Sequence, residues 1–220
     1  MPASEPGGGP GTHYELFRGL REAGVRCLVS GAAALVLHGV PRLTPGIGLD
    51  VDPDPANVAR LEGLLASWGY GEAGRAAAAA EGTAIRRFRH PRAALGEIDL
   101  VLPCAEEFAR LRAGAATAAL VDVDIPLVGT DDLRARLERS GTPADREDAA
   151  SLLLLAALRS GESAGVDDET RREQIRKFSR WSVAARLDWL LAGARLARGM
   201  APEARPMTRG LTRRHWFPGR

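Results

Sequence analysis

At 220 residues, with 45% apolar side chains, the chain is long enough for one domain with a sizeable core plus appendages. The longest apolar run, Leu152 to Leu158, is far too short to span a bilayer, and the formal charge is only +2. The charge is uneven, because residues 201–220 hold five arginines against one glutamate. That basic tail, with Trp216 and Phe217, reads either as a contact for nucleic acid or an anionic partner, or as a frayed terminus. Lys177 is the only lysine, so arginine is a chain-wide preference rather than a local signal. Met1 to Gly11 is Pro- and Gly-rich, unlike a signal peptide, and reads as a disordered leader. Cys27 and Cys104 have apolar neighbours and no CxxC spacing, which predicts two core thiols in a reduced cytoplasmic protein.

The first helix is predicted over His13 to Ala23, capped by Thr12 and stopped by Gly24. Val25 to Ser30 follows as a short apolar strand, then a small-residue helix from Gly31 to Leu37 ending at His38-Gly39. Ile47 to Asp52 alternates as a strand does. Asp54-Pro55 opens a helix to about Trp68, ended by Gly69. Strands are predicted near Thr83 to His90 and over Glu97 to Leu102, then a helix over Ala105 to Ala113 and a strand around Ala119 to Val123. Beyond these the chain is helical: Thr130 caps Asp131 to Arg139, and Thr142-Pro143 starts a helix to about Arg159. After a linker over Gly161 to Gly165 come Asp167 to Arg180 and Ser182 to Ala197. Mixed elements followed by helices alone give an α+β fold, a mixed sheet flanked by helices with a helical C-terminal extension. The expected boundaries are 1–11 for the leader, 12–128 for the α/β core, 129–199 for the C-terminal helices and 200–220 for the basic tail.

The run from Leu28 to Thr44 is the most specific stretch. A small-residue helix after a strand exposes backbone N–H groups to a polyanion. A nucleophile elbow is excluded, because Leu28 breaks the G-x-S-x-G pattern. Gly31-Ala32, His38-Gly39 and Arg42-x-Thr44, leading into the strand Pro45-Gly46-Ile47-Gly48-Leu49, resemble the opening motif of the nucleotidyltransferase superfamily that includes DNA polymerase beta. The likeness is to the bacterial branch with the AbiEii-type toxins. Glu97-Ile98-Asp99-Leu100 resembles that family's third-carboxylate strand. Ile125 to Val128 with Asp131-Asp132-Leu133 resembles its later segment. The resemblance covers about Tyr14 to Leu155 and implies a nucleotidyltransferase-like fold. It implies Asp99 as catalytic and metal-binding remnant, and Gly31, Ala32, Arg42 and Thr44 as nucleotide-binding positions.

The same resemblance places the family's two other metal-binding aspartates at Gly46 and Gly48. Its helix lysine falls on Leu137 and its Arg-Pro-Lys-Asp turn on Thr142 to Asp145, with Asp148 beyond; Arg136 and Arg146 are nearby cations. Transfer of a nucleotidyl group uses two divalent ions held by three carboxylates. Asp50 and Asp52 share the parity of 46 and 48. Each lies four residues from the position it would replace, about 13 Å along a strand, so they are poor substitutes. They read as a solvated strand end. Asp145 reads as half of a capping box with Thr142. For Arg42 the expectation is a surface ion pair, and for His38 a helix-terminus role. The four histidines lack metal-ligand spacing. Arg86, Arg87, Arg89, His90 and Arg92 form a basic strand and turn, either an acceptor of nucleic acid or an acidic partner, or a solvated face.

The expectation is therefore a catalytically degraded pseudoenzyme acting by binding a partner, a nucleotide or RNA, with no cofactor. The alternatives are an active enzyme using Mg²⁺ and a nucleoside triphosphate at an altered site, and one half of a toxin–antitoxin or phage-defence pair. For the last, the segment with Trp181, Leu187, Trp189, Leu190 and Leu191 is the candidate partner surface, packing on its own domain being the default.

Overall fold

The computed structural model describes residues 10–76, 84–90, 95–161 and 169–197. The leader up to residue 9, the turn with Arg92 and the basic tail lie outside them. In chain order come α1 (His13–Glu22), β1 (Cys27–Ser30), α2 (Gly31–His38), β2 (Gly46–Val51), α3 (Pro55–Ser67), β3 (Gly71–Ala76), β4 (Ala84–Arg89) and β5 (Glu97–Leu102). They are followed by α4 (Ala105–Ala113), β6 (Ala116–Leu120), β7 (Val123–Leu127), α5 (Thr130–Ser140), α6 (Pro143–Ser160), α7 (Glu169–Ser179) and α8 (Val183–Ala197). The α+β architecture with a helical C-terminal part is as the sequence implies.

The seven strands form one sheet in the order β3-β4-β5-β2-β1-β7-β6. The β2–β5 and β1–β7 pairs are parallel and the other four antiparallel. Period two sorts the central strands cleanly. Ile47 and Leu49 on β2, beside Ile98 and Leu100 on β5, are at most 1% exposed and belong to the core. Gly46, Gly48 and Asp50 fall on the other face, beside Glu97, Asp99 and Val101. That second face positions the candidate site.

Local chemistry explains most boundaries. The Thr12 hydroxyl accepts the Glu15 N–H, and the Glu15 carboxylate reaches back to the Thr12 N–H, a complete capping box. Asp54 accepts from the Ala56 and Asn57 N–H groups with Pro55 at the first helical position. At α6 the Thr142 hydroxyl accepts the Asp145 N–H, but the Asp145 carboxylate takes hydrogen bonds from the Ser140 and Thr142 hydroxyls. The reciprocal half of the expected capping box is thus replaced by two hydroxyls.

Several expectations are corrected. The strand β3, with sequence GEAGRA, was not anticipated: it lacks apolar alternation and carries a register shift between Glu72 and Gly74, where Gly74 has φ 146°. The single strand around Ala119 to Val123 is a hairpin, with the chain reversing at Val121-Asp122 between β6 and β7. No Asn-Gly or Asp-Gly signals this turn, and Val121 adopts φ 57° instead. Thr130 is the first residue of α5 rather than its cap; Gly129 precedes it with no side-chain cap. Cys27 is half-buried, with its thiol pushed up to about 12 by burial and the nearby Asp50 carboxylate, whereas Cys104 is exposed rather than a core thiol.

The C-terminal helices pack on their own domain. Arg186 on α8 donates to the Leu37 carbonyl at 2.5 Å and to the Trp181 carbonyl at 3.0 Å. Arg159 on α6 donates to the His38 carbonyl at 2.7 Å. Two guanidinium groups therefore serve carbonyls that the end of α2 leaves without helical partners. Leu187, Trp189, Leu190 and Leu191 are buried, and Phe178 stacks against Trp181 and Trp189. No helix among the described residues is long and apolar enough to cross a membrane.

Candidate functional site

Strand register lays out the second face of the sheet as three cross-strand rows. The first runs Gly46, Glu97, Arg89; the second Gly48, Asp99, Arg87; the third Asp50, Val101, Ile85. In the second row the Arg87 Nε lies 2.7 Å from Asp99 Oδ1 and its Nη2 lies 3.0 Å from Oδ2. This two-point fork is the strong form of an arginine–carboxylate contact. Arg87 also reaches Glu97 Oε2 at 3.1 Å, and Arg89 Nε donates to Glu97 Oε1 at 3.0 Å. Hydrogen bonding and attraction from Asp99 hold the Arg87 guanidinium in its charged form. Asp99, the position that the resemblance gives to a third carboxylate, is thus paired with a cation from the neighbouring strand.

The two glycines of β2 are built into this arrangement. A Cβ at position 46 would lie 2.3 Å from the Glu97 carbonyl oxygen, and one at 48 would lie 3.1 Å from the Ser30 hydroxyl. The space at 48 is therefore tight, bounded by the Ser30 hydroxyl and its carbonyl oxygen at 3.2 Å, and the space at 46 is closed by backbone. A pair of Mg²⁺ ions needs several carboxylate oxygens at about 2.1 Å. The residues present do not fit it: two of the three positions offer no donor, and the third is forked by arginine. Among the described residues no group of three His, Cys, Asp or Glu side chains gathers as a metal site.

Asp50 corrects the sequence reading most sharply. It is completely buried rather than a solvated strand end. Its Oδ2 lies 2.5 Å from Arg136 Nη1 of α5, and the Ser30 side chain also favours its charged form. Burial pushes the Asp50 carboxyl above its ordinary range, against the pull of Arg136. Asp52 is structural. Burial opposes its ionisation, but Arg26 at 2.6 Å and the Asp54 N–H outweigh it and hold the carboxyl low. Asn57 completes this knot by accepting the Arg26 N–H and donating to the Arg26 and Asp52 carbonyls.

A cavity of about 640 Å³ opens over the third row, with Asp50, Val101 and Ile85 in its floor and residues of α4 and α5 as walls. Ser30 and Gly31, at the start of α2, also line it. Gly31 has φ 60°, a left-handed conformation suited to glycine, and nothing lies within 4 Å of the Cβ it lacks. Arg110, Arg136 and Arg139 are among its lining residues.

Not every position suggested by the resemblance converges there. Gly31 lines the cavity and Ala32 follows it in the first turn of α2. Arg42 instead pairs with Asp148 at 3.1 Å; an ion pair was expected, but its acid is buried rather than at the surface. Burial raises the Asp148 carboxyl, with Arg42 opposing. The Thr44 hydroxyl donates to the Gly46 carbonyl at 3.0 Å, holding the entry to β2. His38 is buried, and its Nε2–H donates to the Val128 carbonyl at 2.8 Å. Burial lowers its pKa, so it is a neutral tie to the end of β7 rather than a charge at a helix terminus. The basic stretch of β4 is neutralised: Arg86 pairs with Glu62 and Glu72, and Arg87 and Arg89 pair with the acids of β5.

Sequence reasoning missed the Asp50–Arg136 pair and the capture of Asp99 by Arg87. The only available signal was the shared parity of Arg87 and Arg89 opposite Asp99 and Glu97, readable once the β4–β5 register is fixed. Compared with known proteins, the chain matches no protein-family model and no curated sequence.

Proposed function

We propose that this chain is a pseudoenzyme of the nucleotidyltransferase superfamily, related to the AbiEii-type branch, which acts by binding rather than by metal-dependent transfer. The observation that carries the reading is the Arg87 fork on Asp99. A carboxylate whose two oxygens are both taken by a guanidinium is a poor ligand for a divalent ion, and the glycine opposite it adds no donor. The packing of α8 on its own domain leaves the toxin–antitoxin reading without a specific observation in its favour. The other acids of this face are also engaged by arginine, Asp50 by Arg136 and Glu97 by Arg87 and Arg89, which supports the same reading.

The test is a transfer assay with radiolabelled nucleoside triphosphates, Mg²⁺ or Mn²⁺, and RNA and protein acceptors, run beside calorimetric titration of each metal. The expected result is no metal-dependent labelling and no difference between the parent protein and Asp99→Ala. Labelling that needs the metal and disappears in Asp99→Ala would overturn the proposal. Restoring aspartates is informative at 48 alone, because position 46 faces the Glu97 carbonyl.

A further inference from the structure

We infer that the cavity over the Asp50 row binds a small amphipathic anion, a carboxylate or phosphate head on an apolar body, with Arg136 as its anchor. The inference stands whether or not the chain transfers nucleotides. It begins from the layering of charge. Two acids of the cavity lie deep, with the Asp50 side chain 0% exposed and Asp132 18%, whereas Glu107 is 35% exposed. Arg110 is 54% exposed and Arg139 is exposed, so these two form the outer layer, while Arg136, 26% exposed, lies between Asp50 and Glu107. Arg110 is taken by Glu107 and Asp132, so the guanidinium groups left for an entering anion are those of the exposed Arg139 and of Arg136.

Arg136 is the best-placed of the three. Its Nη1 is fixed on the buried Asp50, and its Nη2 lies 3.8 Å from Glu107 Oε1. As a mere strut between α5 and β2, a buried ion pair is a poor choice, because an apolar pair of similar volume is often at least as stable. As a device that holds a guanidinium facing a cavity, it lowers the ordering cost of binding an anion. Arg139 lies one helical turn from Arg136 and also lines the cavity. Among the described residues it makes no ion pair within 4 Å, although its charge acts on Glu107. The start of α2, where Gly31 leaves the backbone uncovered, adds N–H groups on the opposite side. Ile85, Val101, Leu133 and Leu137 supply the apolar surface for the body of the ligand. A volume of about 640 Å³ suits a small organic molecule.

The full chain, in metal-free buffer, is titrated calorimetrically with octanoate and phenyl phosphate. Octyltrimethylammonium supplies an apolar body of opposite charge, and inorganic phosphate a head without a body. Saturable binding of one or both amphipathic anions, with the cation and free phosphate much weaker, is expected; which anion binds identifies the head. Arg136→Gln weakens that binding by roughly tenfold or more, and the exposed Arg139→Gln by a smaller factor. Arg139→Gln decides the matter if Arg136→Gln fails to fold. The inference is overturned if no probe saturates, if the cation binds as well as the anions, or if Arg139→Gln and any folded Arg136→Gln bind like the parent. Failure here leaves the Asp99 transfer assay unaffected, so the two proposals fail separately.

Discussion

Position 46 shows how a residue with no side chain can be the most constrained in its strand. Its missing Cβ would meet the Glu97 carbonyl oxygen at 2.3 Å, and a backbone atom in a paired strand cannot step aside. Gly46→Ala is therefore expected to destabilise the fold by about 1–3 kcal/mol in urea titrations. Gly48→Ala meets the Ser30 hydroxyl at 3.1 Å and the Ser30 carbonyl oxygen at 3.2 Å, both much longer than the contact at 46, and should cost less. Equal effects at the two positions would refute this account. The sequence flagged both glycines, because their absence of charge stood out in a run that otherwise resembled a known motif. It could not distinguish them, since what separates them is the neighbour across the sheet. Asp50 was misread for the same reason: its parity was legible, but the helix that covers it was not.

At the scale of elements, the hairpin between β6 and β7 carries a local strain. Val121 sits at φ 57°, unfavourable for a β-branched residue, and is 87% exposed, so it has little packing to lose. Val121→Gly is expected to raise stability by about 1 kcal/mol, read as a higher denaturation midpoint; an unchanged or lower midpoint would exclude strain at this turn. The helices were legible because caps and prolines mark them, as at Thr12, Asp54-Pro55 and Thr142-Pro143. The hairpin and β3 were not, because one lacks turn residues with a preference for positive φ and the other lacks alternation. The attachment of α8 rests on Arg186. Its replacement by alanine is expected to cost about 2 kcal/mol and to raise amide hydrogen exchange in α8 and at the end of α2 together. Faster exchange in α8 alone would mean the carbonyl contacts contribute little.

For the whole molecule, acidity is the sharpest lever. His13 is buried, and burial lowers its pKa from 6.5 to about 4. Between those values the unfolded chain holds the proton that the folded chain refuses. Stability therefore falls as pH drops from 6.5 towards 4, by up to roughly 3 kcal/mol from this residue. Asp50 and Asp148, whose carboxyls burial raises, act in the opposite sense above 3.8, so the raw curve mixes the effects. Comparing urea midpoints of the parent and His13→Leu at pH 7 and pH 4.5 isolates the histidine. A smaller drop in the variant is expected, and parallel drops would assign acid sensitivity elsewhere.

The contact between position 46 and the Glu97 carbonyl also bears on what this sequence can become. A side chain at 46 is barred for as long as β2 and β5 keep their spacing. Any route to a carboxylate there must first loosen the pairing of two central strands, passing through a less stable protein before any ligand is gained. Substitution at 48, or loss of Arg87, is open to single steps; 46 is not. The order in which changes are tolerated on this face is thus set by the backbone, and the face can be remodelled around its glycine far more readily than through it.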